Sequence, residues 1–217
     1  MTTTFEVEKE CAVCGHTQTH EEVMSTNTFG YMDLDTRPAE MQRSTMRHWI
    51  QMCKKCGYSN TDVDKLMPGI GPEDIRSEEY KAIVNDNRIN EVAKAFLLAG
   101  HLYSKVNEFK EAGFSYMHAA WAFDDKGKSS RAKQARDKAI ENMNKCLEGS
   151  ADVDISILTV DLYRRSGRFT EAEETAGRLI ADGAKDFVKE LLEFQIKLSR
   201  NKDDKRYTVG AVERSPE

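Results

Sequence analysis

The chain has no apolar run near the ~20 residues a membrane-spanning helix needs, so no membrane association is expected. Its first residues, Met1-Thr2-Thr3-Thr4-Phe5-Glu6, lack both the basic and the apolar region of a secretion signal, which predicts a cytoplasmic location. Basic stretches interleaved with aromatics are missing too. The formal net charge is −5. Glu6, Glu8, Glu10, Glu21, Glu22, Asp33 and Asp35 make the N-terminal segment acidic, so a phosphate backbone finds little to attract it and nucleic acid is disfavoured as a partner. No Ser-His-Asp constellation, phosphate-binding glycine loop or H-E-x-x-H motif occurs, and no residue is assigned a catalytic role. With 39% hydrophobic and 32% charged residues in 217, the composition fits a soluble, helix-rich protein of one large or two small domains.

Cysteine is scarce but patterned. Four of the five cysteines form two C-x-x-C-G turns, Cys11-Ala12-Val13-Cys14-Gly15 and Cys53-Lys54-Lys55-Cys56-Gly57. A two-residue gap brings both sulfurs of a pair onto one metal at about 2.3 Å, and two pairs complete a tetrahedron. The glycine after each pair suits a backbone that turns sharply through positive φ. Disulfides are disfavoured in a reducing compartment, and no βαβ pattern surrounds either pair to suggest a redox motif. Cys11, Cys14, Cys53 and Cys56 are therefore expected to bind one structural zinc, with iron in a rubredoxin-like site as the alternative. Lys9, Lys54 and Lys55 are placed to offset the charge of four thiolates, while His16, His20 and His48 are read as bystanders. Cys146 falls on the apolar stripe of a predicted helix and is read as an inert thiol.

The fold class expected is α+β, mostly α: a zinc-ribbon-like domain over residues 1–66, then a tetratricopeptide-like helical domain over 73–200. Strands are predicted over 19–25 and 48–52, with Phe29, Tyr31 and Trp49 as the ribbon's small core. Such a module buries too little apolar surface to fold without its metal. The loop Met67-Pro68-Gly69-Ile70-Gly71-Pro72 marks the boundary. Ser77 is read as the cap of a short helix carrying Tyr80, Ile83 and Val84. Longer helices are predicted over 88–106, 108–123, 130–147, 152–165 and 170–180, and a last one carries Phe187, Leu191, Phe194 and Leu198. Residues 201–217 lack periodicity and are expected to form a disordered tail.

An internal repeat lies within the helical region. The segment from Tyr103 to Ala112 aligns without a gap to that from Tyr163 to Ala172, with tyrosine, phenylalanine, glutamate and alanine in register. Each copy reads as a helix, a tight turn at Asn107 or Gly167, and a second helix. The pattern resembles the tetratricopeptide repeat, although the copies lie 60 residues apart rather than ~34, because a long helix intervenes. The double C-x-x-C-G, the Met32-Asp33-Leu34-Asp35 segment, Cys56-Gly57-Tyr58 and these helices together resemble a prokaryotic family of uncharacterised function. The likeness covers roughly residues 5–199 and implies the architecture, not an activity.

Three functional readings follow. In the first, the array binds a protein or acidic peptide through a concave groove lined by Lys94, His101, Lys105, Asp161, Arg164 and Arg165, with Lys105, Arg164 and Arg165 as a cationic patch. In the second, Asp33 and Asp35 act as a carboxylate pair in a metal-dependent enzyme; the bland reading is an outward-facing acidic turn. In the third, the ribbon binds nucleic acid. The first is favoured.

Overall fold

The computed structural model describes residues 1–150 and 152–212. The N-terminal part is built from three two-stranded antiparallel hairpins: β1 (Thr3–Glu10) with β2 (Thr17–Ser25), β3 (Thr28–Phe29) with β4 (Glu40–Met41), and β5 (Gln51–Met52) with β6 (Ser59–Asn60). Among the described residues seven α-helices follow: α1 (Glu78–Asn85), α2 (Glu91–Lys105), α3 (Phe109–Asp124), α4 (Ser129–Glu148), α5 (Val153–Arg165), α6 (Phe169–Ala181) and α7 (Asp186–Arg200). The protein is α+β and mostly helical.

Local chemistry sets the helix ends. Ser77 Oγ accepts the Tyr80 N–H and Asp152 Oδ1 accepts the Ile155 N–H, each satisfying a donor that has no partner within its helix. Asn90 caps α2 in the same way, and Arg88 is pinned to Asp86 outside it, so that helix starts three residues later than its apolar period implies. The two repeat copies adopt one turn. Asn107 and Gly167 have φ of 63° and 75°, and the N–H groups of Glu108 and Arg168 return to the carbonyls of Tyr103 and Tyr163 at 3.0 and 2.9 Å. Consecutive helices pack against each other, and the small buried Ala112 and Ala172 sit early in the second helix of each pair.

The hairpins and helices are not separated by a linker. Met67 and Ile70, in the segment read as a boundary, are buried with Tyr58, Tyr80, Leu98 and Leu102. Tyr103 Oη donates to Asn60 Oδ1 at 2.9 Å and Tyr80 Oη donates to the Gly57 carbonyl at 2.9 Å. Residues 48–50 are not strand: a 3-10 helix over Gln42–His48 precedes β5, turned so that Trp49 Nε1 donates to Thr45 Oγ1. Phe29 and Tyr31 are 64% and 46% exposed, so neither is core, whereas Trp49 packs edge-on to His118 of α3.

The segment read as a tail is ordered as far as Val212; its last five residues lie outside the described part of the chain. Residues 203–209 run back along α5 and α7. Leu34 N–H donates to the Tyr207 carbonyl and Val209 N–H to the Met32 carbonyl, pairing this strap with the Asp33 segment. Apolar contact among Leu34, Leu191, Phe194, Tyr207 and Val212 seals the seam. The polarity of the segment hid these anchors, because most of them are backbone groups.

Asp33 and Asp35 are neither outward-facing nor accessible, with 1% and 0% exposure. Asp35 Oδ2 accepts Trp121 Nε1 at 2.6 Å and Arg165 Nη1 at 3.0 Å. Arg165 continues to Asp124 at 2.7 Å, and Arg37 forms a two-pronged pair with Asp125 at 2.9 and 2.6 Å. Asp33 lies 2.7 Å from Arg43. Removing one partner from such a buried pair leaves an uncompensated charge, which costs about 3–5 kcal/mol. D35A should therefore lower the unfolding free energy measured by urea titration by that amount. R200A, which breaks only the exposed pair with Glu173, should change it by about 0–1 kcal/mol.

His118 supplies a pH prediction. Its ring lies among Trp49, Phe96 and Trp121, and burial, with a smaller push from the Arg37 charge, lowers its pKa from 6.5 to about 4. Between those values the unfolded chain binds a proton that the folded chain does not. This contribution is complete above pH 6.5 and is lost as pH falls toward 4, at up to about 1.4 kcal/mol per pH unit. H118F should flatten that slope in denaturant titrations over the window.

Candidate metal centre

Each C-x-x-C-G segment occupies the turn of a hairpin, the first between β1 and β2 and the second between β5 and β6. The two turns are built alike. Cys11 N–H donates to the His16 carbonyl at 2.9 Å and Gly15 N–H to the Cys11 carbonyl at 2.9 Å; the equivalent bonds from Cys53 and Gly57 are both 2.8 Å. Gly15 and Gly57 have φ of +65° and +80°, which the sequence pattern anticipates. Gly57 carries a second constraint, because a Cβ there would lie 2.7 Å from Val84 Cγ2 on α1.

The four ligand sulfurs all lie within 4.8 Å of one another. Cys11 Sγ is 3.7 Å from Cys56 Sγ, and Cys14 Sγ is 3.6 Å from Cys53 Sγ. A tetrahedron with bonds of about 2.3 Å has edges of about 3.8 Å, so the sulfurs stand where one metal ion needs them. They are far beyond the ~2.05 Å of a disulfide. The chemistry of the donor set fits as well. N–H groups of Val13 and Cys14 point at the Cys11 sulfur, and those of Lys55 and Cys56 at the Cys53 sulfur. Such donors stabilise thiolate. Burial pushes the Cys11 and Cys56 thiols up; at Cys53 burial also opposes the thiolate, but backbone donors together with hydrogen bonds to Cys14 and Cys56 bring the thiol down.

The surrounding residues hold the two turns in register. Gln18 accepts the Lys54 N–H at 2.8 Å and donates to the Met52 carbonyl at 3.0 Å, tying the β1–β2 hairpin to the β5–β6 hairpin. Its Nε2 also lies 2.8 Å from His20 Nε2. Lys9 does not face the thiolates; it is bound to Glu22 at 2.6 Å and Asp62 at 2.5 Å. Burial works against the Asp62 charge, yet hydrogen bonds from Lys9 and Lys65 draw its carboxyl down to about 2. Gln18 and Asp62 carried no sequence signal, and Tyr80 was read only as a residue of a short helix, since each acts through contacts across the fold. Cys146, half-buried on α4, is remote from the four ligand cysteines in sequence and absent from their cluster.

The residues expected to line a groove are scattered in their engagements. Lys94 Nζ donates to the Val84 carbonyl, His101 packs edge-on to Tyr80, and Lys105 pairs with Asp74. Arg164 is fully buried: it binds Asp161 and Gln195 at 2.6 Å each and the carbonyls of Asp203 and Lys205 at 2.7 and 2.8 Å. Arg165 is consumed by Asp35 and Asp124. No joint cationic patch of Lys105, Arg164 and Arg165 forms, because the strap and the Asp33–Arg37 segment already occupy the two arginines.

These features define a hairpin module with four cysteines positioned to form a metal site, packed against a helical array. The family model DUF2225, described as an uncharacterized protein conserved in bacteria, matches residues 4–198, and the chain belongs to that family. No curated protein and no solved structure matches it.

Protons compete with metal for raised thiols, so metal content should fall as pH is lowered. C53S should lose the one ion per chain measured by elemental analysis in the parent. A chelator should abolish near-ultraviolet signals from Tyr58 and Tyr80 while most of the far-ultraviolet helix signal survives. Retention of ordered hairpins after metal loss would contradict this account.

Proposed function

We infer that the chain is a protein-binding scaffold whose hairpin module is fixed by one structural zinc. Four sulfur donors close a tetrahedral sphere, which leaves no position for water and suits structure rather than catalysis. Iron fits the same donors and is the rival; a colourless protein from iron-replete cells argues for zinc.

One observation carries the binding reading. Met1, Phe5, Met24 and Phe29 are 84%, 41%, 69% and 64% exposed and gather toward one end of the β1–β2 hairpin. That end lies about seven strand residues, ~23 Å, from the metal turn. Methionine and phenylalanine exposed together form an adaptable apolar surface of the kind proteins use for partners. A partner with an apolar face is favoured over an acidic peptide, because Asp161, Arg164 and Arg165 are engaged internally. Nucleic acid is disfavoured by the exposed Glu6, Glu8 and Glu10 along β1.

The test is affinity purification from the native cell with the parent and with M24S/F29S. The expected result is a partner recovered in defined ratio with the parent and reduced tenfold or more with the variant, at equal metal content. The reading fails if both recover the same proteins, or if the parent binds heparin in a salt-dependent manner and captures no protein.

A further inference from the structure

A cavity of about 760 Å3 opens between the α1–α2 turn and the start of α4. Arg88, Lys128, Arg131 and Lys138 line it, and Asp86 is the one carboxylate in its wall, so four cations against one acid give a local charge of +3 in a chain of net charge −5. The size falls within the range of small-molecule sites.

Neighbouring acids do not cancel this charge. Asp124 is paired with Arg165, as described above, and also with the buried Arg136, while Asp125 is paired with Arg37. Asp86 binds Arg88 through both carboxylate oxygens at 2.8 and 3.0 Å, and Arg131 at 3.2 Å, fixing two guanidinium groups at the cavity edge. Arg131 also lies over the Phe123 ring and Lys138 over the Tyr116 ring. Lys128 is exposed.

The start of α4 adds to the cavity's attraction for anions. This helix of 20 residues has no side-chain cap and no acidic residue in its first turn. A carboxylate there would stabilise the helix dipole. The chain instead places Lys126-Gly127-Lys128-Ser129-Ser130-Arg131 around backbone N–H groups that lack intrahelical acceptors. Ile89, Leu97 and Phe123 add an apolar part to the lining.

We propose that this cavity binds a small phosphate ester, with the phosphoryl group between Lys128, Arg131 and the N–H groups opening α4, and the organic part against Ile89 and Leu97. Guanidinium groups and a helix start both suit a phosphoryl group, and the apolar lining sets an ester apart from a bare anion. The site is independent of the metal centre and of the hairpin surface.

Calorimetric titration of the full, metal-loaded chain at low salt tests this with ADP, inorganic phosphate and adenosine. ADP should bind at sub-millimolar concentration and more tightly than inorganic phosphate, with adenosine weaker than both. K128Q should weaken ADP by tenfold or more while leaving the melting temperature unchanged. S130D separates binding from folding, because an acid in the first turn should raise the melting temperature and abolish ADP binding. The proposal is overturned if ADP does not bind at ~1 mM, if binding survives both substitutions, or if inorganic phosphate binds as tightly as ADP.

Discussion

Asp35 has no exposed surface, and the arrangement of the chain depends on how its charge is compensated. An isolated buried carboxylate is costly, and only close donors with good geometry make its burial tolerable. Trp121 from α3 and Arg165 from α5 provide them, so the segment from the hairpin region is clamped to two helices far along the chain. Arg165 reaches Asp124 with its other nitrogen, which brings the end of α3 and the end of α5 to one point. Apolar packing alone would allow that segment to slide along the array; a charge with directional partners fixes one register.

The metal turns serve the same end from the other side. Val84 and Tyr80 of α1 press on Gly57, so the second turn is positioned by a helix as well as by its sulfurs. Tyr58, Leu98 and Leu102 then form one apolar cluster with Cys11 and Cys53. A ribbon this small cannot bury enough surface by itself. An ion held by the four cysteines would reduce what the ribbon must supply, and the helices provide the rest of its core. The hairpins and the first helices therefore share a core, although their sequences read as two units.

Local patterns were legible and long-range ones were not. The cysteine spacing and its glycines identified the centre, because those residues act within a single turn. Ser77 and Asp152 disclosed helix starts for the same reason, and the repeated Tyr-to-Ala segment revealed two equivalent helix pairs. The family likeness was carried by these same residues. By contrast, Asp33, Asp35 and Arg164 look like surface charges in sequence, and their partners lie 10, 86 and 31 residues away. Residues 203–212 offered no periodicity, since the strap is held by carbonyls and isolated apolar contacts. Phe29 and Tyr31 misled because aromatic identity says nothing of which side faces water.

Where the charges are used decides where function can reside. The face expected to present arginines to a peptide is occupied by the chain's own strap and Asp33–Arg37 segment, and its arginines are neutralised there. That compensation pairs Asp124 with Arg165 and Asp125 with Arg37. Lys128 and Arg131, which follow them, line a cavity whose one lining carboxylate is Asp86. The acid pair that looked suited to catalysis thus serves the core. The positive charge that remains at the surface, at the start of α4, is a consequence of how the interior is balanced.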